Sequence, residues 1–141
     1  MKQISILLTL ILTISSASAK KPPLRMRAFS VKEAQVIDAT HLRRNSKDEI
    51  EVIVVQQAAG LLTLHLNRRE IVKLGRADWV RLYLMPGRYR FGVTPSWNLG
   101  RAAYWEMYAD VSRNTQQVYR IFQSAGFTSS GGNAVYEIAR Y

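Results

Sequence analysis

From Glu49 onward, apolar residues return at every second position in short runs, and polar or glycine-containing breaks separate the runs. Ile50 to Val55 (IEVIVV) is dominated by β-branched residues and is closed off by Gly60. Leu62, Leu64 and Leu66 alternate with Thr63 and His65, and a short run from Ile71 to Leu74 follows the polar turn Asn67-Arg68-Arg69-Glu70. Val80, Leu82 and Leu84 alternate with Trp79, Arg81 and Tyr83, and Tyr89, Phe91 and Val93 alternate with Arg88 and Arg90. In Tyr104 to Val111, Trp105, Met107, Ala109 and Val111 alternate with Tyr104, Glu106, Tyr108 and Asp110. Gln117 to Phe122 and Val135 to Ala139 read as the last strands, joined by the Gly/Ser loop from Ser124 to Asn133. A period of two marks half-buried antiparallel strands, although a run as short as Ala102 to Asp110 also admits a helix. Many short strands with closely spaced turns predict a mainly β fold, a small antiparallel β-sandwich of the Ig-like kind.

The Met85-Pro86-Gly87-Arg88 segment fits a type II turn, with proline at the second position and glycine at the third. If it closes a hairpin, Leu84 faces Tyr89, Leu82 faces Phe91 and Val80 faces Val93, and a one-residue slip destroys all three apolar pairs. Type II turns match hairpin twist poorly, so the alternative is a corner between two sheets. Upstream the period is helical. Ser30 and Glu33 have capping-box spacing, which predicts one short N-terminal helix from about Val31 to Ala39.

The N-terminal end changes the picture of where the protein acts. Lys2 precedes an apolar stretch from Ile4 to Ile14, and Ala17-Ser18-Ala19 supplies the small side chains that signal peptidase accepts. A membrane anchor is the alternative, but a spanning helix needs about 20 apolar residues. The expected division is a signal peptide over 1–19, an N-terminal arm over 20–48 including the basic leader Lys20 to Arg27, and the sandwich over 49–141. Removing those 19 residues from 141 leaves 122, enough for one domain with its own core. The expected product is periplasmic or secreted, with no transmembrane segment in its mature form.

Charge and cysteine content narrow the function. The formal charge is +10, of which only Lys2 leaves with the signal peptide, so the mature chain keeps +9. Such a balance attracts polyanions. For an exported protein these are lipid head groups, acidic glycans or acidic proteins rather than nucleic acid. The alternative is that the excess of Lys and Arg keeps a β-rich chain soluble and its edges unpaired. With no cysteine, the chain has no thiol nucleophile, disulfide or lipid-attachment site.

Leu62 to Val93 resembles a known family in its order of strand, polar turn, short strand, Gly75, strand, Leu84-Met85-Pro86-Gly87 and aromatic strand. It is similar to an uncharacterised "domain of unknown function" family of exported bacterial proteins related to PEGA domains, over roughly Ile50 to Arg140. The resemblance implies a small Ig-like sandwich with a non-enzymatic envelope role, and no site residues come with it. Arg68 departs from the pattern, standing where glycine is favoured in tight primed turns, and the Gly-x-Thr-Pro element of PEGA repeats is missing.

Catalytic patterns are weak. His41, His65, Asp78 and Ser96 are of the types a hydrolytic triad needs, but no Gly-x-Ser-x-Gly elbow holds any serine, and two histidines without cysteine make no recognisable zinc-binding spacing. His65 falls on the outward side of its strand, as a solvated or cross-strand histidine. Glu106 and Asp110 share a strand face but lie roughly 13 Å apart, beyond the 6.5–9.5 Å or so of an inverting glycosidase. The expectation is therefore a protein that is not an enzyme, with no cofactor and no metal. One constellation suits binding. Trp79, Arg81 and Tyr83 are placed on the outward face beside Arg88 and Arg90 of the neighbouring strand, where arginines and aromatic rings suit anionic or sugar ligands. Alternatively, Trp79 and Tyr83 face a second sheet or the N-terminal helix. The expected function is a non-catalytic interaction or accessory module of the cell envelope, whose partner is an envelope protein or an anionic surface. A purely structural domain of a larger envelope or secretion assembly is the alternative, and a hydrolase of envelope polymers the third.

Overall fold

A computed structural model describes residues 35–96, 104–114, 117–123 and 136–140. The chain is mainly β, with eight described strands: β1 (Ile50–Gln56), β2 (Leu62–Leu66), β3 (Arg69–Leu74), β4 (Trp79–Leu84), β5 (Gly87–Pro95), β6 (Trp105–Val111), β7 (Val118–Gln123) and β8 (Tyr136–Arg140). They form two four-stranded sheets with orders β4-β1-β7-β8 and β3-β2-β5-β6. Their inner faces meet in one core containing Val52, Val54, Leu62, Leu64, Leu82, Phe91, Val93, Tyr119 and Ile121. Two aromatic pairs bridge the sheets, Phe91 with Tyr119 at 5.3 Å between ring centroids and Trp105 with Tyr136 at 5.0 Å. The alternation that predicted the strands is the alternation that fills this core. Trp105 to Val111 is a strand, so the helical option for this run does not hold.

Of the two readings of Met85-Pro86-Gly87-Arg88, the corner between sheets holds and the β4–β5 hairpin is not formed. β4 pairs instead with β1, setting Leu84 against Ile50, Leu82 against Val52 and Val80 against Val54. β5 lies in the other sheet between β2 and β6. Met85 and Pro86 are therefore the corner that carries the chain from one sheet to the other. Gly87 has a φ of 157°, near the extended limit, instead of the roughly +80° of a type II third position. The Tyr89 hydroxyl donates to the Met85 carbonyl at 2.8 Å and ties the corner down. The inward residues of both strands keep their predicted faces, but each finds apolar partners in a different strand. One pair departs from the antiparallel rule: β1 and β7 run parallel, with Ile53 opposite Val118 and Val55 opposite Arg120.

The short helix is also corrected over its described part. Val36 forms a bridge to Val72, and the amides of Ile37 and Asp38 donate to the Ile71 carbonyl at 2.8 and 3.0 Å. Further along, the His41 carbonyl accepts from the Tyr83 amide at 2.8 Å. The segment is thus a strap laid over the outer edges of β3 and β4, occupying backbone groups that edge strands otherwise leave open. Ser30 and Glu33, with the signal and leader segments, lie outside the described residues.

Candidate binding surface

Tight turns set the geometry of the outer face of the β3-β2-β5-β6 sheet. Two residues, Asn67 and Arg68, join β2 to β3, with φ of 51° and 69°. Positive φ at both central positions is the signature of a type I′ turn, whose twist matches the strands it joins. Asn67 is anchored to β5 on both sides: its amide donates to the Arg90 carbonyl at 2.7 Å, and its Oδ1 accepts from the Arg90 amide at 2.9 Å. The turn therefore lies against β5, and Arg68 is carried to the rim of a shallow depression of about 340 Å³ lined by Asn67, Arg68, Arg88, Tyr89, Arg90 and Tyr108.

Strand register explains how Arg88, Arg90 and Tyr108 meet. Arg90 lies directly opposite Tyr108 and Arg88 opposite Asp110 on β6. The guanidinium carbons of Arg88 and Arg90 sit 4.8 and 4.9 Å from the centre of the Tyr108 ring. Arg90 also donates to the Tyr108 hydroxyl and pairs with Glu106 at 3.6 Å. Arg88 leans over the ring instead of toward Asp110, and among the described residues neither Arg88 nor Arg68 forms an ion pair. An ionised guanidinium offers five donors in a fixed fork, so these two arginines present unneutralised anion-binding groups at one rim.

The same face continues into a polar cluster. His65 is 7 % exposed, its Nε2 lies 2.9 Å from Thr94 Oγ1, and its ring meets the edge of Tyr104 at 5.3 Å. Tyr104 lies over Gly92, where its hydroxyl and outer ring carbons occupy the space that a Cβ at that position would take. Burial pushes the His65 imidazole below its ordinary value of 6.5, and the Glu70 charge partly opposes this. The Tyr104 phenol is pushed up by burial, with the neighbouring Glu106 carboxylate adding to the effect. His65 is thus a cross-strand histidine, as its alternation implied, but a buried one. His41 belongs to the strap at the β3 and β4 edges, so the two histidines serve different elements. Glu106 is held by Arg90.

The predicted constellation is divided by the corner at Met85-Pro86. Arg88 and Arg90 stand on β5, whereas Trp79, Arg81 and Tyr83 stand on β4 in the other sheet. There Arg81 pairs with Glu51 at 3.3 Å and stacks 5.4 Å from the Trp79 ring, while Arg44 of the strap stacks 5.1 Å from Tyr83. Five residues expected in one patch therefore form two, and of the three arginines among them Arg81 and Arg90 are ion-paired whereas Arg88, among the described residues, is not. Arg68 and Tyr108 complete the β5 part. Both signals were present in the sequence, Arg68 in a primed-turn position and Tyr108 on the outward side of its strand, but neither shows which strand lies beside which.

The comparisons with known proteins add no relative: no protein-family model, curated protein or solved structure matches this chain.

Proposed function

We propose that this protein is a non-catalytic, exported interaction module of the cell envelope that binds an anionic partner through the outer face of β5 and β6. The observation that carries the reading is the pair Arg68 and Arg88, two arginines that line one depression and form no ion pair among the described residues. Arg90 stands beside them, fixed by Glu106 and Tyr108. The formal charge of +10, or +9 once Lys2 leaves with the signal peptide, adds long-range attraction. Export and an envelope setting rest on the signal-like N-terminus and on the PEGA-like pattern around Leu84-Met85-Pro86-Gly87.

The test is retention on heparin and on vesicles containing an acidic lipid, followed as salt is raised. Binding is expected to weaken with salt, because the Debye length contracts to about 8 Å near physiological ionic strength. Arg88→Gln with Arg90→Gln weakens it further, whereas Arg43→Gln with Arg44→Gln and Arg113→Gln removes at least as much charge and weakens it less. Equal losses from the two sets would reduce the effect to the attraction of any basic protein, and the structural-domain reading would replace this one.

A further inference from the structure

Arg68 is placed where stability alone would not put it. The second position of a type I′ turn requires a left-handed backbone, which glycine adopts freely and a residue with a Cβ does not. Its φ of 69° meets that requirement without glycine. Sparsely populated backbone conformations at a surface tend to mark function when the side chain they carry has something to hold. Here the side chain lines the same depression as Arg88 and Arg90, and the turn that carries it is pinned to β5 by both hydrogen bonds of Asn67.

We infer that this depression is an oxyanion site that takes a phosphate monoester group, with Arg68 and Arg88 as its direct ligands. The inference rests on the anionic-partner reading above and names the group recognised. A planar carboxylate is satisfied by a single guanidinium fork. Two forks arriving from different elements, one from the turn and one from β5, suit a tetrahedral group whose three free oxygens point in different directions. Asn67, whose Oδ1 is already engaged by the Arg90 amide, lines the same depression and has its NH₂ left as a further donor. Arg90 is a positioning residue: Glu106 neutralises it, and it holds the Tyr108 ring on which the Arg88 guanidinium rests. Asp110 faces Arg88 across the strands without pairing with it, which leaves the Arg88 guanidinium over the Tyr108 ring.

The experiment is a titration of the purified protein with glycerol 1-phosphate and, at matched ionic strength, with acetate, observing the Asn67, Arg68 and Arg88 amides and the arginine Nε–H signals by NMR. The phosphate ester is expected to give saturable shifts at these residues, with acetate at least tenfold weaker. Arg68→Gly should keep the wild-type spectrum elsewhere, relieve the turn, and weaken the ester by roughly tenfold, the loss of one charge-assisted contact. Because this variant is expected to be more stable than wild type, misfolding cannot account for the loss. Co-sedimentation with phosphatidylcholine vesicles carrying phosphatidic acid separates the sources: tighter binding there than to the soluble ester assigns a lipid head group, and the reverse assigns a soluble ligand. Equal responses to ester and acetate, or unchanged ester binding by Arg68→Gly, overturn the inference. If heparin binding still depends on Arg88 and Arg90 in that event, the broader reading stands; if wild type binds no anionic probe in a salt-dependent way, both fall.

Discussion

The outer faces of the two sheets carry the same residue types in different company. On β4 and β1, Arg81 is neutralised by Glu51 and rests on Trp79, and Arg44 from the strap covers Tyr83. On β5 and β6, Glu106 pairs with Arg90, while Arg88 and the neighbouring Arg68 form no ion pair among the described residues. Arginine beside aromatic rings is therefore no site by itself. For the strand arginines Arg81 and Arg88, the difference is whether the adjacent strand brings a carboxylate within reach. β1 brings Glu51 to Arg81. On β6, Glu106 reaches Arg90, and Asp110 leaves Arg88 to the Tyr108 ring.

Both faces depend on the shared core, and the largest expected effect lies there. Phe91 is fully buried on β5 and packs against Tyr119 of the opposite sheet. Phe91→Ala should lower unfolding free energy by about 3–5 kcal/mol in urea denaturation, since it leaves a cavity between the sheets. A cost below about 1 kcal/mol would mean that the sheets are not packed as described.

Next in size come the two left-handed positions. Arg68→Gly should raise stability by about 1 kcal/mol by removing the Cβ from a positive-φ turn. Ala77, with a φ of 67° in the turn that joins Gly75 to Asp78, should respond to Ala77→Gly in the same direction. Only the first substitution is expected to alter anion binding. Thermal midpoints with heparin retention on the same samples sharpen the contrast, and a loss of binding in both variants would erase it.

His65 provides a pH-dependent probe of the open face. Its imidazole is held below 6.5, so the folded state binds fewer protons than the unfolded chain. The contribution is fully present above 6.5 and is lost as pH falls through the depressed value of the folded protein. Wild type should lose stability on acidification from 6.5 toward about pH 5, above the range of ordinary carboxylates, and His65→Gln should flatten that slope. An identical slope in the variant would place the titrating group elsewhere. The smallest effect is predicted for the closed face. Arg81→Gln, which breaks a half-exposed ion pair, should change stability by no more than about 1 kcal/mol and leave vesicle binding close to wild type.

The strands were legible because burial imposes a period of two, and that period survives whichever strand lies alongside. Leu82, Phe91 and Trp105 face inward as their alternation required. Pairing was not legible at the Met85-Pro86 corner, where a hairpin and a change of sheet demand the same apolar inward positions. The choice is made by non-local contacts, the fit of β4 to β1 and of β5 to β2. The strap was misread for a related reason. Val36 is apolar in either conformation, and only the open edge of β3 makes it a bridging residue. The candidate site inherited both problems: its residue types were legible, but its membership depended on pairings that no short-range pattern encodes.

The open and closed faces are told apart most sharply by an NMR map of backbone amides during titration with a short heparin oligosaccharide at low salt. Shifts are expected at Asn67 and Arg68, at Gly87 to Phe91 and at Glu106 to Asp110, fading as salt is raised, with Trp79 to Tyr83 and Glu51 to Val55 little changed. Shifts of equal size on β4 and β1, or centred there, would contradict that division.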